Sequence, residues 1–499
     1  MYRCSELRLD ATSCRKKQAG AALLLIMLFL LTVSSFLFLD KLNSATSTTY
    51  QNEYQRVTAW ALAEAKSALI GYALTYAETH PGSAIPPPYA QPQGFLPCPD
   101  QDGDGSQSTP CGSAGVSVIG WLPWEDLRLQ PLRDGAGECL WYAVSGNYKN
   151  NPKVSLTSDT DGQFVVKDAG GNTVAGADPS GSDRAIAIVF APGPPIDPPG
   201  PPPSQFRAPG SALGETQCAS TDSAGAINQA VNYLETLSNG TVSINNSNGT
   251  EPASGSGLAA GASLPSNPST FLSAPNVADT SRNPVINDTL VVITPRDFAP
   301  VYERMDRWVA NRVRQCLTTS FSVPYFWAAA LGGGGSTAPY SQDTGERFGR
   351  IPEAPNPTAT DPDPNVGGVC FKDVGGGSGP GWWWWWDTWR EMVFYAVDDA
   401  SAPVAVGGTP PLRIGGTASQ FLVVVAERKL AGQQRNTAAD RANIANYLED
   451  HNNPHFPSPP SPSLNGSGNI PTGDEQFLAG AATTTFNDTV CSDSVRCPP

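Results

Sequence analysis

The sequence predicts an α+β chain. A long N-terminal helix, membrane-spanning in its first third, precedes two tandem, duplicated lobes of short strands and long Gly/Pro loops. Three observations predict this. An uncharged apolar run, Gly20–Leu39, leads into a stretch with helical periodicity. Short motifs recur in the same order in two parts of the remaining chain. The composition, with 49 Gly, 47 Pro and 15% charged residues among 499, suits strands joined by loops rather than a helical bundle.

The helix comes first. About 20 helical residues rise about 30 Å, the thickness of a bilayer core. Arg15, Lys16 and Lys17 abut the start of the run, and Asp40 and Lys41 close it. The positive-inside rule then places the N-terminus in the cytoplasm and the body outside. A cleaved secretory signal has a shorter apolar core, about 7–15 residues. Beyond the run, Val57, Ala61, Ala65, Leu69, Tyr72 and Tyr76 recur at spacings of three or four and share one helical face. His80-Pro81 ends the pattern, because the residue before Pro avoids helical geometry. The helix therefore covers 21–79, membrane-spanning over 21–39, with the Ser/Thr-dense stretch Asn43–Thr49 as its one plausible break.

The N-terminus resembles a type IV prepilin. The residues that carry the resemblance are a short basic leader ending Lys16-Lys17-Gln18-Ala19-Gly20 and an apolar helix opening at Ala21. It implies a leader over 1–20, cleavage between Gly20 and Ala21 by a prepilin peptidase, and pilin-head-like α+β lobes. It also implies partnership with other pilin-like subunits at the bacterial inner membrane. One position departs from the family: Leu25 stands where mature pilins carry a Glu that pairs with the neighbouring subunit's amine. The departure shifts the expectation from a shaft subunit to a minor or tip subunit, or an assembly factor, of a type IV pilus or type II secretion filament. The alternative is an uncleaved, membrane-anchored binding protein such as an adhesin or glycan binder.

The lobes follow from internal repetition. Asn232-Tyr233-Leu234-Glu235 recurs as Asn446-Tyr447-Leu448-Glu449. Phe271-Leu272 and Asn287-Asp288-Thr289-Leu290 recur as Phe477-Leu478 and Asn487-Asp488-Thr489-Val490. Upstream, Tyr142-Ala143-Val144 matches Tyr395-Ala396-Val397, and Ala185–Phe190 parallels Phe421–Ala426. Trp121-x-x-Trp124 matches Trp386-x-x-Trp389. A helix capped by Thr294, with Pro295 in its first turn and Asp297 at its third position, runs to about Ser320. The expected boundaries are a first lobe over 80–293 and a second over 294–499. Pro192–Pro203 reads as an extended polyproline spacer within the first.

The net charge of −15 argues against nucleic-acid binding, which needs a basic footprint. Eight of the ten cysteines follow the apolar run, an even number that fits disulfides in an oxidising compartment. Cys98 with Cys111, and Cys491 with Cys497, bracket short loops and are the candidate pairs. With three histidines and no GxSxG, HExxH or P-loop sequence, catalysis is not expected.

The best chemical motif is Asp100-Gln101-Asp102-Gly103-Asp104-Gly105. Carboxylates at alternate positions converge on one hard cation, and Gly at the sixth position permits the wrapping turn. Asp100, Asp102 and Asp104 are thus candidate Ca²⁺ ligands, with Glu125, Asp126 or a backbone carbonyl completing the shell. A turn capped between two cysteines is the plainer reading. The second lobe offers Pro352–Asn365 as the corresponding stretch, without the pattern. Trp382, Trp383, Trp384, Trp385 and Trp386 form a run whose rings alternate sides in a strand, and they are candidates for a binding surface.

Overall fold

The computed structural model describes residues 27, 49–80, 93–196, 205, 207, 218, 229–274, 277–278, 284–331, 340–353, 384–405, 411–430, 432–448, 476–477 and 487–497. The chain divides into two compact units, Met1–Trp60 and Ala61–Pro499.

The fold is β-rich, which corrects the α+β expectation. Nineteen short strands, mostly antiparallel, form the body among the described residues. Two long helices accompany them: α1 over 49–79 and α2 over Ala299–Ser320. The other α-helices, α3 (Trp384–Trp389) and α4 (Ala438–Ala442), are one or two turns long. The helical periodicity was real where it was read. Among the described residues the runs between are mostly short strands and turns, as their Gly and Pro content favours.

The expected single-pass inner-membrane anchor is also corrected: among the described residues no helix is long and apolar enough to cross a membrane. Helix α1 carries Glu53, Arg56, Glu64, Lys66 and Glu78, and such charges exclude it from a bilayer core. Of the apolar run 21–39 only Met27 is described. The leader, Gly20 and Ala21 lie outside the described residues.

Two sheets organise the body. In the first, Val118–Trp121, Trp141–Val144, Ala187–Ala191 and Thr289–Ile293 lie side by side in that order, all antiparallel. In the second, Phe348–Arg350, Val393–Val397, Phe421–Val425 and Thr489–Ser492 do the same. The registers agree residue by residue. Tyr142 faces Gly120 on one side and Val189 on the other, and Tyr395 faces Gly349 and Val423. Both tyrosines send their hydroxyl to a carbonyl 3.3 Å away, Tyr142 to Pro97 and Tyr395 to Phe326. Each sheet also has a small parallel pairing beside it, Phe164–Asp168 with Ser269–Ser273 and Arg413–Ile414 with Gln476–Phe477.

The sheets are not separate lobes. One apolar cluster takes in the α1 stripe (Ala61, Ala65, Leu69, Ala73, Tyr76), the α2 stripe (Val301, Met305, Val309, Val313, Leu317) and one face of each sheet. The opposite face of each sheet has its own cluster. Helix α2 begins five residues after Thr294. Thr294 and Asp297 do exchange capping bonds, at 2.7–3.4 Å, but they close a single turn before Ala299.

The paired tryptophans do not correspond as expected. Trp121 lies in a strand, whereas Trp386 and Trp389 both lie in α3. The residue that takes Trp121's place is Arg350. Trp121 bonds through both backbone groups to Asp100, and Arg350 bonds in the same way to Ala329.

Candidate functional site

The Asp100–Gly105 loop hangs from the edge of the first sheet by the Asp100–Trp121 bridge, at 2.9 and 3.1 Å. The Cys98–Cys111 disulfide closes it, 13 residues apart in sequence. A second disulfide, Cys139–Cys218, lies close by, and the Cys218 amide donates to the Gly103 carbonyl at 2.9 Å. Cys491–Cys497 is the third pair, and Cys316 is also disulfide-bonded.

Asp100 is fully buried. Its Oδ1 accepts from the Asp102 and Gly103 amides at 3.0 and 2.7 Å, and its Oδ2 from the Gly105 amide at 2.8 Å. Burial pushes its carboxyl up to about 7 against the pull of the Gly105 and Gly103 amides, and the neighbouring Asp102 adds to the rise. Gly105 has φ +98°, and a Cβ there would lie 2.2 Å from the Trp124 ring, so only glycine fits.

Asp100, Asp102 and Asp104 each bring a carboxylate oxygen within 4.8 Å of the others, the last two from exposed positions. The donor set is all oxygen, which suits Ca²⁺ and not zinc. Three carboxylates fall short of the six to eight oxygens Ca²⁺ takes. Glu125 is placed to add to them: its amide donates to the Gly105 carbonyl at 2.9 Å and its Oε2 accepts from Ser106 at 3.1 Å. Asp126 is occupied otherwise, holding the Gln107 amide and side chain at 2.5 and 2.8 Å.

Among the described residues the loop has no counterpart in the second sheet. Ala329 stands in the place of Asp100, and Ala330-Leu331 follow it. The Pro352–Asn365 stretch is therefore not the equivalent, and only its residues 352–353 are described.

The tryptophan run divides. Trp382 and Trp383, and the side chains of Trp384 and Trp385, lie outside the described residues. Trp386 is fully buried, and its indole nitrogen donates to Glu353, which also pairs with Arg390 at 2.9 Å. It is a core residue and no part of a binding surface.

Sequence reasoning missed two arginines. Arg207 donates to the Asn232 carbonyl at 2.6 Å, to Gly193 at 2.5 Å and to Gln205 at 2.6 Å, and lies over the Tyr233 ring. Arg435 donates to Asn446 at 2.5 Å, to Glu427 at 2.8 Å and to Gln433 at 3.1 Å, and lies over Tyr447. The signal was present: Gln-x-Arg precedes each Asn-Tyr-Leu-Glu, as Gln205-Phe206-Arg207 and Gln433-Gln434-Arg435.

No protein-family model, curated protein or solved structure matches the chain.

Proposed function

We propose that the chain is a non-catalytic subunit of an assembled filament, a minor or tip-type subunit or an assembly factor of a type IV pilus or type II secretion system. Its body is a tandem internal duplicate, and its leader is cut between Gly20 and Ala21 by a prepilin peptidase. Other pilin-like subunits are its partners.

The observation that carries the reading is the uneven burial of α1. From Ala61 onward its apolar stripe is buried. Over 49–60 only Thr58 is buried, and Tyr50 and Trp60 are 70% and 57% exposed. A helix that keeps aromatic side chains exposed before its stripe enters a core is suited to packing against neighbouring subunits. The disulfides fit work in an oxidising compartment.

The test is the N-terminal mass of the mature protein from a host with a prepilin peptidase. The expected chain starts at Ala21, and Gly20→Glu blocks its formation. A wild-type protein that keeps Met1 or Tyr2 at its terminus would overturn the reading.

A further inference from the structure

Helix α2, the end of α1 and the C-terminal disulfide loop together wall a cavity of about 660 Å³. That volume lies within the range of small-molecule sites, about 300–1,000 Å³. Its chemistry runs against the rest of the chain. The protein carries a net charge of −15, yet Arg304, Arg307 and Arg496 line this cavity against a single carboxylate, Glu78.

The arginines are not all committed. Arg304 pairs with Glu78, but both side chains are about half exposed, and such pairs are readily displaced. Arg307 meets the Glu303 carboxylate at 3.8 Å and donates through Nε to the Glu303 carbonyl at 3.1 Å. Among the described residues Arg496 has no ion-pair partner, and the Cys491–Cys497 disulfide holds the loop that presents it. Gln93 supplies the independent sign of a ligand. It is 2% exposed, lines the cavity, and among the described residues its side-chain oxygen accepts no hydrogen bond. A buried acceptor without a donor is costly, and a ligand hydroxyl would relieve it. The half-buried indole of Trp308 forms part of the wall.

We propose that this cavity binds an acidic sugar unit, a hydroxylated ring bearing a carboxylate. The planar guanidinium of Arg496 takes the carboxylate, because the fork of N–H donors matches its two oxygens, and Arg304, which lines the same cavity, adds positive charge. The face of the ring lies on Trp308. A ring hydroxyl donates to Gln93, and Asn311 serves a second hydroxyl. This inference does not depend on the filament reading.

The test is titration calorimetry of the full chain with D-glucuronate, with glucose and inorganic phosphate as comparators. Glucuronate should bind at least about tenfold tighter than either, and Arg496→Gln should weaken it by about tenfold, the worth of one charge-assisted hydrogen bond. Arg496 and Arg304 are both exposed, so Arg304→Gln serves as a second variant and should weaken binding without altering the melting temperature. Glucose binding as well as glucuronate would overturn the anion assignment, and phosphate competing equally would overturn the sugar. Unchanged affinity in both variants would remove the site from this cavity.

Discussion

The two sheets share one frame and fill it differently. On the outer face of the first, Trp121 packs on Trp141 and Tyr233, with ring centroids 4.4 and 4.7 Å apart. On the same face of the second, Arg350 lies 4.0 Å from the Phe394 ring and 4.3 Å from Tyr447, and it donates to carbonyls of Glu391 and Arg441. The arginine clamps differ in the same spirit. Asn287 and Asn487 donate to matching carbonyls, of Pro194 and Arg428, at 2.6 and 2.7 Å. Pro194 is exposed. Arg428 reaches back to the first half, bonding Ser158 at 2.8 Å, Asp161 at 3.0 Å and Ser182 at 2.5 Å. Arg435 adds an ion pair to Asp159 at 2.7 Å. Arg428 and Arg435 thus bolt the second half to the first, whereas Arg207, which matches Arg435, pairs with Glu138 of its own half at 3.4 Å. A repeated frame fixes backbone bonds, while its side chains remain available for new tasks.

Exchanging the fillings gives the largest expected effect. Trp121→Arg would bury a charge in an apolar cluster, against the rings of Trp141 and Tyr233, and should cost at least about 3–5 kcal/mol. Arg350→Trp removes a charge from a site already walled by two rings, and should cost about 1–3 kcal/mol through overpacking. Urea denaturation of each variant measures both. Equal costs would mean that the two pockets are not the opposites described.

The bolts come next. Arg428→Ala should lose about 2–3 kcal/mol, the scale of hydrogen bonds to a charged group. Pro194→Ala, at the matching position, should stay within about 0.5 kcal/mol. Similar losses at both would contradict the claim that this position joins the halves in the second copy and not in the first.

Calcium tests the contrast between the corresponding edge positions, Asp100 in the first sheet and Ala329 in the second. Ca²⁺ at a hundred times its dissociation constant should stabilise the protein by about 2.7 kcal/mol. Asp102→Ala should abolish the gain, as read by calorimetry with and without chelator. A full calcium response in Asp102→Ala would place the cation elsewhere.

The smallest effect is in pH. Burial pushes Asp100 in the first half and Glu346 in the second up to about 7, from ordinary values of 3.8 and 4.5. Each folded carboxyl holds its proton more tightly than the unfolded one. The stability each contributes is therefore fully present below about pH 4 and drains as pH rises towards 7. Melting temperature should fall across that window, and Asp100→Asn and Glu346→Gln should each flatten part of the slope. A slope unchanged in both variants would assign it to other groups.

The legible and illegible parts of the sequence divide along the same line. The Tyr-Ala-Val and Asn-Asp-Thr motifs stood out because they are backbone positions of the frame, where register leaves little choice of residue. Trp121 misled because its counterpart is Arg350, and no pattern equates an indole with a guanidinium. Only the Asp100 and Ala329 bridges reveal that they share a place. The aspartate loop was legible because six consecutive residues carry its chemistry. The Arg-lined cavity was not, since Gln93, Trp308 and Arg496 are brought together only by packing and a disulfide. Helix periodicity was read correctly in α1 and α2 but overweighted, since short strands leave weaker signals than helices of the same importance.

The central claim is that two copies of one frame have become a single body through one shared core and the Arg428 and Arg435 bolts. Differential scanning calorimetry of the full chain, with its disulfides intact, tests it most directly. One transition with equal calorimetric and van't Hoff enthalpies is predicted for the wild type, separating into two when Arg428 and Arg435 are both replaced by Ala. Two resolved transitions in the wild-type protein would contradict it.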